Sequence, residues 1–301
     1  MDHRRAGQWQ KPGRDAARAS DRTPLALAMC PRLTPARGRY DHLVSRASGA
    51  LTAEDLDVRR VGSGPPAVLV HGSVVGPERT WRHQLELASD WTLVMPHRPG
   101  FGASPPLPRG DFESEAPLVA ELLGEGAHLV GHSYGAVIAL YAAALRPGCV
   151  RSLTVSEPGC LRVAAGDQRV DGQIANGQRL YEHAAELGPL AFLRAFRGGV
   201  GSTNETPEQL AGELLAGARL LMRERPPWEA DPPLQALGEA AFAKLVISGG
   251  HSPVFEAVCD ALAYQLGARR QVIEGRGHTI PATGAPYNAC LHSFLSECER
   301  R

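Results

Sequence analysis

The sequence predicts an α/β domain built on a doubly wound, mostly parallel sheet, and three observations carry that prediction. From about Val58 onward, short β-rich runs alternate with segments of helical periodicity. Most of the runs are apolar on both faces, as strands of a parallel sheet covered by helices must be. One helical block interrupts the alternation, between Gly166 and about Ala241.

Taken in order, residues 1–50 are rich in Arg, Pro, Ala and Gly and show little periodicity, so they are expected to form a mobile basic arm, with Met29 a candidate start. Strands are expected at Ala67–Val70, Thr92–Met95, His128–Val130, Leu153–Val155, Leu245–Ile247 and Gln271–Ile273. Helices are expected at Ser114–Leu123, Tyr134–Arg146, Val254–Leu266 and Pro286–Glu299. Such alternation implies right-handed crossovers onto one sheet. Within the interrupting block, Gln178–Phe196 and Glu208–Arg223 have helical periodicity, and Pro226, Pro227, Pro232 and Pro233 close it. Inserted between two strands, the block would lie over the strand ends where open sheets bind ligands. It is therefore read as a cap of residues 166–241, set into a core of 51–165 and 242–301.

The chain has 301 residues, 43% hydrophobic and 21% charged, which excludes a wholly disordered or collagen-like chain. Its 32 basic and 32 acidic residues cancel, so nothing overall points to nucleic acid or an anionic membrane as a partner. The first 50 residues carry 10 basic against 4 acidic, a net of +6, and the remainder 22 against 28, a net of −6. No apolar run approaches the roughly 18 residues of a membrane span. Six cysteines without a C-x-x-C pair suggest reduced thiols and a cytoplasmic protein. No phosphate loop, metal cluster or redox motif stands out, so no cofactor is implied.

The sharpest local signal is Gly131-His132-Ser133-Tyr134-Gly135, between an expected strand and an expected helix. A turn this tight needs small residues two before and two after its centre, and it lifts the Ser133 hydroxyl above the sheet edge at a helix N-terminus. Ser133 is therefore the candidate nucleophile. A serine needs a general base, and His278 follows the last expected strand in Gly275-Arg276-Gly277-His278. A developing oxyanion needs donors. The backbone N–H of Tyr134 is one candidate and that of Ser73, in the turn His71-Gly72-Ser73, is the other. His71 itself is read as ordering that turn.

Together these features resemble the α/β-hydrolase superfamily over roughly residues 58–300. The likeness rests on Val68–Ser73, Arg98–Ser104, Gly131–Gly135 and Gly275–His278. It implies an eight-stranded, mostly parallel sheet with a cap after the sixth strand, and a structural turn at Arg98–Ser104. Most members carry their acid as an Asp in a G-x-x-D turn after the seventh strand. Here that turn reads Gly249-Gly250-His251-Ser252, and Ser252-Pro253 looks like a helix cap followed by proline. Some members place the acid at the end of the sixth strand, where this chain has Glu157. Glu157 is the expected acid and Asp260 its alternative; His251 is left without a role.

A serine at this turn argues against the aspartate chemistry of dehalogenases and epoxide hydrolases. The resemblance implies ester cleavage by acyl transfer, and the apolar side chains of the cap suggest a small or medium apolar acyl substrate. Phe192, Phe196, Leu220, Leu221, Met222 and Trp228 are candidates for its pocket or for the core beneath the cap. Two alternatives stay open: a non-hydrolytic perhydrolase or lyase of the same fold, and a catalytically silent ligand binder, which the missing Asp would favour.

Overall fold

A computed structural model describes residues 51–300; the basic stretch 1–50 lies outside the described residues. Seven strands form one sheet: β1 (Val58–Val61), β2 (Pro66–Val70), β3 (Thr92–Pro96), β4 (Ala127–His132), β5 (Val150–Ser156), β6 (Ala243–Ser248) and β7 (Arg269–Val272). Their order is β1-β3-β2-β4-β5-β6-β7, and β1 alone runs antiparallel to its neighbour. The sheet is thus mostly parallel as expected, but among the described residues it has seven strands rather than eight. Consequently Glu157 follows the fifth strand described. β1 escapes a search for apolar runs because it is an edge strand with Arg59 and Arg60 exposed. β7 is the opposite edge and begins on Arg269 and Arg270, two residues before the apolar pattern suggests.

Helices cover both faces. They are α1 (Pro77–Thr80), α2 (Phe112–Leu122), α3 (Tyr134–Leu145), α4 (Gln168–Glu182), α5 (Ala184–Gly199), α6 (Gly212–Leu221), α7 (Leu234–Glu239), α8 (Pro253–Leu266) and α9 (Ala285–Glu299). Because side chains alternate along a strand, Val68, Leu129 and Val246 pack beneath α2, α3 and α8 with Phe112, Ile138 and Leu262. Leu69, Val130 and Ile247 face the other way, onto Trp81, Tyr287 and Phe294. Asp111 starts α2 by accepting from the backbone N–H of Glu113 at 2.8 Å and Ser114 at 3.3 Å. Ser252 stands at the N-cap of α8 with Pro253 after it, but its side chain caps nothing. Cys160, Cys259 and Cys290 carry thiols, whereas Cys149 is disulfide-bonded, which corrects the expectation of reduced cysteines throughout.

Helices α4–α7 form an insertion between β5 and β6. The single helix expected at Gln178–Phe196 is divided: α4 ends at Glu182, His183 separates it from α5, and α5 kinks where Gly188 takes φ 70° before Pro189. Just beyond its end, the chain meets the core where Ser202 bridges to Gly277. Phe192 and Leu221 are core of this insertion, packed with Val74, Leu193 and Ala218. Leu220 packs against Gly100 instead.

The turn between β4 and α3 fits only because its flanks are bare. A side-chain carbon at Gly131 would lie 2.5 Å from Ala136 Cα, and one at Gly135 would lie 2.3 Å from the carbonyl oxygens of both Val70 and His71. Gly135→Ala is expected to cost about 3 kcal/mol through this overlap with β2. Thermal unfolding should then show a midpoint lowered by about 6–12 °C; an unchanged midpoint would mean that α3 and β2 are not held this close.

Candidate active site

The candidate residues stand at the carboxyl ends of neighbouring strands. Ser133 follows β4, and its N–H donates to Ser156 O at 2.9 Å. Glu157 follows β5, and its N–H donates to Ile247 O at 2.9 Å. The two sheet bonds fix the spacing of the side chains before either side chain makes a contact. Both residues are also strained. Among the described residues, the non-glycine residues with positive φ are Val74 (78°), Ser133 (55°) and Glu157 (47°). Such conformations cost on the order of 1–3 kcal/mol each and persist where surrounding structure imposes them.

His278 joins the two. Its Nε2 lies 2.9 Å from Ser133 Oγ, and its Nδ1 lies 2.9 Å from Glu157 Oε2. A carboxylate only accepts, so Nδ1 carries the proton and Nε2 is left to accept from the serine hydroxyl. Glu157 is fully buried, and its other oxygen accepts from Gly249 N–H at 2.7 Å. Burial pushes its carboxyl up to about 7, with the Gly249 N–H offsetting only part of that rise. Burial, and after it the neighbouring His251, holds the His278 imidazole below its ordinary value, so the ring is neutral as a base must be. Phe255 packs on that ring at a centroid distance of 4.7 Å. His132 fixes the loop behind it by donating from Nε2 to His278 O at 2.8 Å.

Asp260 is not brought to this cluster. It lies on the exposed side of α8 and accepts from Arg270 Nε at 2.9 Å. The turn after β6, where most family members carry their Asp, is occupied by the carboxylate of Glu256, which accepts from Ser248 Oγ at 2.8 Å and Gly250 N–H at 3.0 Å. His251 does reach the cluster. Its Nε2 donates to Val200 O at 3.1 Å, and its Nδ1 lies 3.6 Å from Glu157 Oε1.

Ser73 and Tyr134 flank the serine. Tyr134 begins α3, so its N–H has no acceptor within the helix. The turn bearing Ser73 comes so close that a side-chain carbon at Gly72 would lie 3.0 Å from Ser133 Cβ. His71 orders that turn as expected: buried and neutral, it donates from Nδ1 to Gly72 O at 2.8 Å and accepts Arg98 N–H at 3.1 Å. A cavity of about 210 Å³ opens above Ser133 and His278, walled by Leu161, Leu180, Phe196, Val200, Trp228 and Phe255. Of the six side chains nominated for a pocket, Phe196 and Trp228 line it. Leu161, Leu180 and Phe255 carried no motif and come together only through the fold.

Comparison with known proteins agrees with this architecture. Residues 67–289 match the model of the alpha/beta hydrolase family. A pimeloyl-[acyl-carrier protein] methyl ester esterase of Methylococcus capsulatus is 33% identical over 201 residues, which cover 63% of this chain and 72% of that protein. Another of the same name, from Chromobacterium violaceum, is 31% identical over 179 residues. That match covers 55% of this chain and 66% of the relative, just under two thirds of its length. Among solved structures, an alpha/beta hydrolase of Sphaerobacter thermophilus superposes with a TM-score of 0.61 at 27% identity, covering 80% of this chain and 96% of that one. With a family match across most of its length and a sheet wound in this order around Ser133, the chain belongs to the alpha/beta hydrolase family.

Proposed function

We propose that this protein is a serine hydrolase that cleaves carboxylic esters without a cofactor. The observation that carries the reading is the unbroken path from Ser133 Oγ through His278 to Glu157, with 2.9 Å at each step. Ser133 attacks the substrate carbonyl while His278 Nε2 takes its proton. The oxyanion rests on the N–H groups of Ser73 and Tyr134. His278 then passes its proton to the departing alcohol, leaving an acyl group on Ser133. A water attacks that acyl group, giving its proton to His278; the acid departs and Ser133 recovers its proton. Glu157 keeps Nδ1 protonated and stabilises the imidazolium that forms in each half-reaction.

The apolar walls support a small apolar acyl substrate, since 210 Å³ is below the roughly 300–1,000 Å³ of drug-sized ligand sites. The insertion that supplies Leu180, Phe196 and Trp228 acts in this reading as the cap. The methyl ester named in its relatives supports ester cleavage over amide cleavage. The contact between Glu157 and His278 removes the ground for a silent binder, which was the missing Asp. No described helix is long and apolar enough to cross a membrane, and the disulfide at Cys149 removes reduced thiols as a ground for a cytoplasmic location.

Two measurements test the proposal. A fluorophosphonate probe should leave one adduct, on Ser133, that Ser133→Ala abolishes; intact mass spectrometry showing no adduct on folded protein would overturn the nucleophile. Glu157→Gln should lower kcat for a p-nitrophenyl ester by about 10³–10⁴-fold, because it withdraws the charge that sets the imidazole tautomer. Asp260→Asn should leave the rate near wild type, and the reverse pattern would move the acid to Asp260.

A further inference from the structure

A buried charge cluster joins the insertion to the turn that holds Ser73. Arg98 is 2% exposed, Glu115 1% and Glu224 3%. The Arg98 guanidinium donates from Nε to Glu115 Oε2 at 2.8 Å, and from Nη2 to Glu115 Oε1 at 3.0 Å and Glu224 Oε1 at 2.8 Å. Its remaining arm, Nη1, donates to Gly72 O at 3.0 Å. Its face lies 4.3 Å from the centre of the Tyr134 ring. One cation therefore touches the Tyr134 ring and, through the Gly72 carbonyl, the peptide that bears the Ser73 N–H.

The contact with Gly72 has a geometric consequence. The carbonyl of Gly72 and the N–H of Ser73 belong to one planar trans peptide and point in opposite directions. Arg98 Nη1 and His71 Nδ1 both hold that carbonyl, which directs the Ser73 N–H the other way. Glu224 completes the grip, because its second oxygen accepts from Ser73 Oγ at 2.5 Å. It comes from the insertion, just beyond α6, and sits 126 residues from Arg98 in sequence.

Two further contacts from α6 fasten the same turn. Glu213 Oε1 accepts Gly76 N–H at 3.1 Å. Gly217 lies so close that a side-chain carbon there would stand 1.8 Å from Val74 O. Val74 takes φ 78°, which a β-branched residue avoids unless its surroundings impose it. The turn is thus held in a conformation it would not keep alone, and the insertion supplies the hold.

We propose that Glu224 is a positioning residue for oxyanion stabilisation, gripping Arg98 and the Ser73 hydroxyl together so that the Ser73 N–H faces Ser133. The proposal rests on the hydrolase reading above. It makes the insertion part of the reaction machinery as well as the wall of the cavity, since the oxyanion site is complete only while Glu224 is seated.

The test compares kcat and KM for p-nitrophenyl butyrate, together with the rate of Ser133 phosphonylation by a fluorophosphonate, in wild type, Ser73→Ala, Glu224→Ala and the double variant. Ser73→Ala retains the backbone donor and the Arg98 ion pairs but loses the grip. Its kcat should fall about tenfold with KM within about twofold of wild type, since the loss is felt only in the transition state. Glu224→Ala should lower kcat by about 100-fold, the scale of losing one oxyanion donor. The double variant should be no slower than Glu224→Ala, because both changes release the same peptide. Phosphonylation should slow in the same order. Wild-type kcat and phosphonylation rate in Ser73→Ala would overturn the proposal even if Glu224→Ala failed to fold, and so would losses that multiply in the double variant. Ser133→Ala separates the two ideas: full turnover in that variant sinks the hydrolase reading itself, whereas its inactivity beside an unaffected Ser73→Ala sinks the grip alone.

Discussion

A carboxylate taken fully out of water must be met by donors, and the fold is arranged so that Glu157 meets two. One is the Gly249 N–H at the end of β6, the other the Nδ1–H of His278 in the loop beyond β7. β4, β5 and β6 are neighbours in the sheet, so the ends that carry Ser133, Glu157 and Gly249 lie side by side. The register of the sheet sets the order serine, acid, donor before any side chain is placed. The strained backbones of Ser133 and Glu157 are then supported by the sheet bonds to Ser156 and Ile247.

Much of this was legible in the sequence because its signals are local. The glycines at 131 and 135 announce a turn that nothing larger fits, and the contacts measured at both positions give the reason. His278 was found by its place after the final strand. Glu157 was legible through the resemblance, since some family members place their acid at this strand end, and the structure adds the physical reason: a buried carboxylate needs donors. Asp260 was a fair alternative by chain position, but helical geometry turns it outward to Arg270.

What was not legible depended on contacts distant in sequence or on weak local pattern. The edge strand β1 hides behind two arginines. The break between α4 and α5 at His183 lies within a continuous helical period, and only the later kink inside α5 is hinted at, by Gly188 and Pro189. Glu224 stands in no motif, and its meeting with Arg98 and Ser73 follows from how α6 settles on the turn after β2. The insertion is the part of the chain where composition says least about placement. It also supplies the walls that shape the cavity, so the proposed substrate preference resides where sequence pattern is weakest.

The proposed activation of Ser133 depends on the hydrogen bond from His278 Nδ1 to Glu157. Proton NMR of the wild-type protein should reveal a strongly downfield imidazole N–H resonance that vanishes in His278→Ala, is displaced or lost in Glu157→Gln, and survives in Asp260→Asn. A downfield resonance unmoved by Glu157→Gln would show that another group holds the imidazole, and would contradict the assignment of Glu157 as the acid.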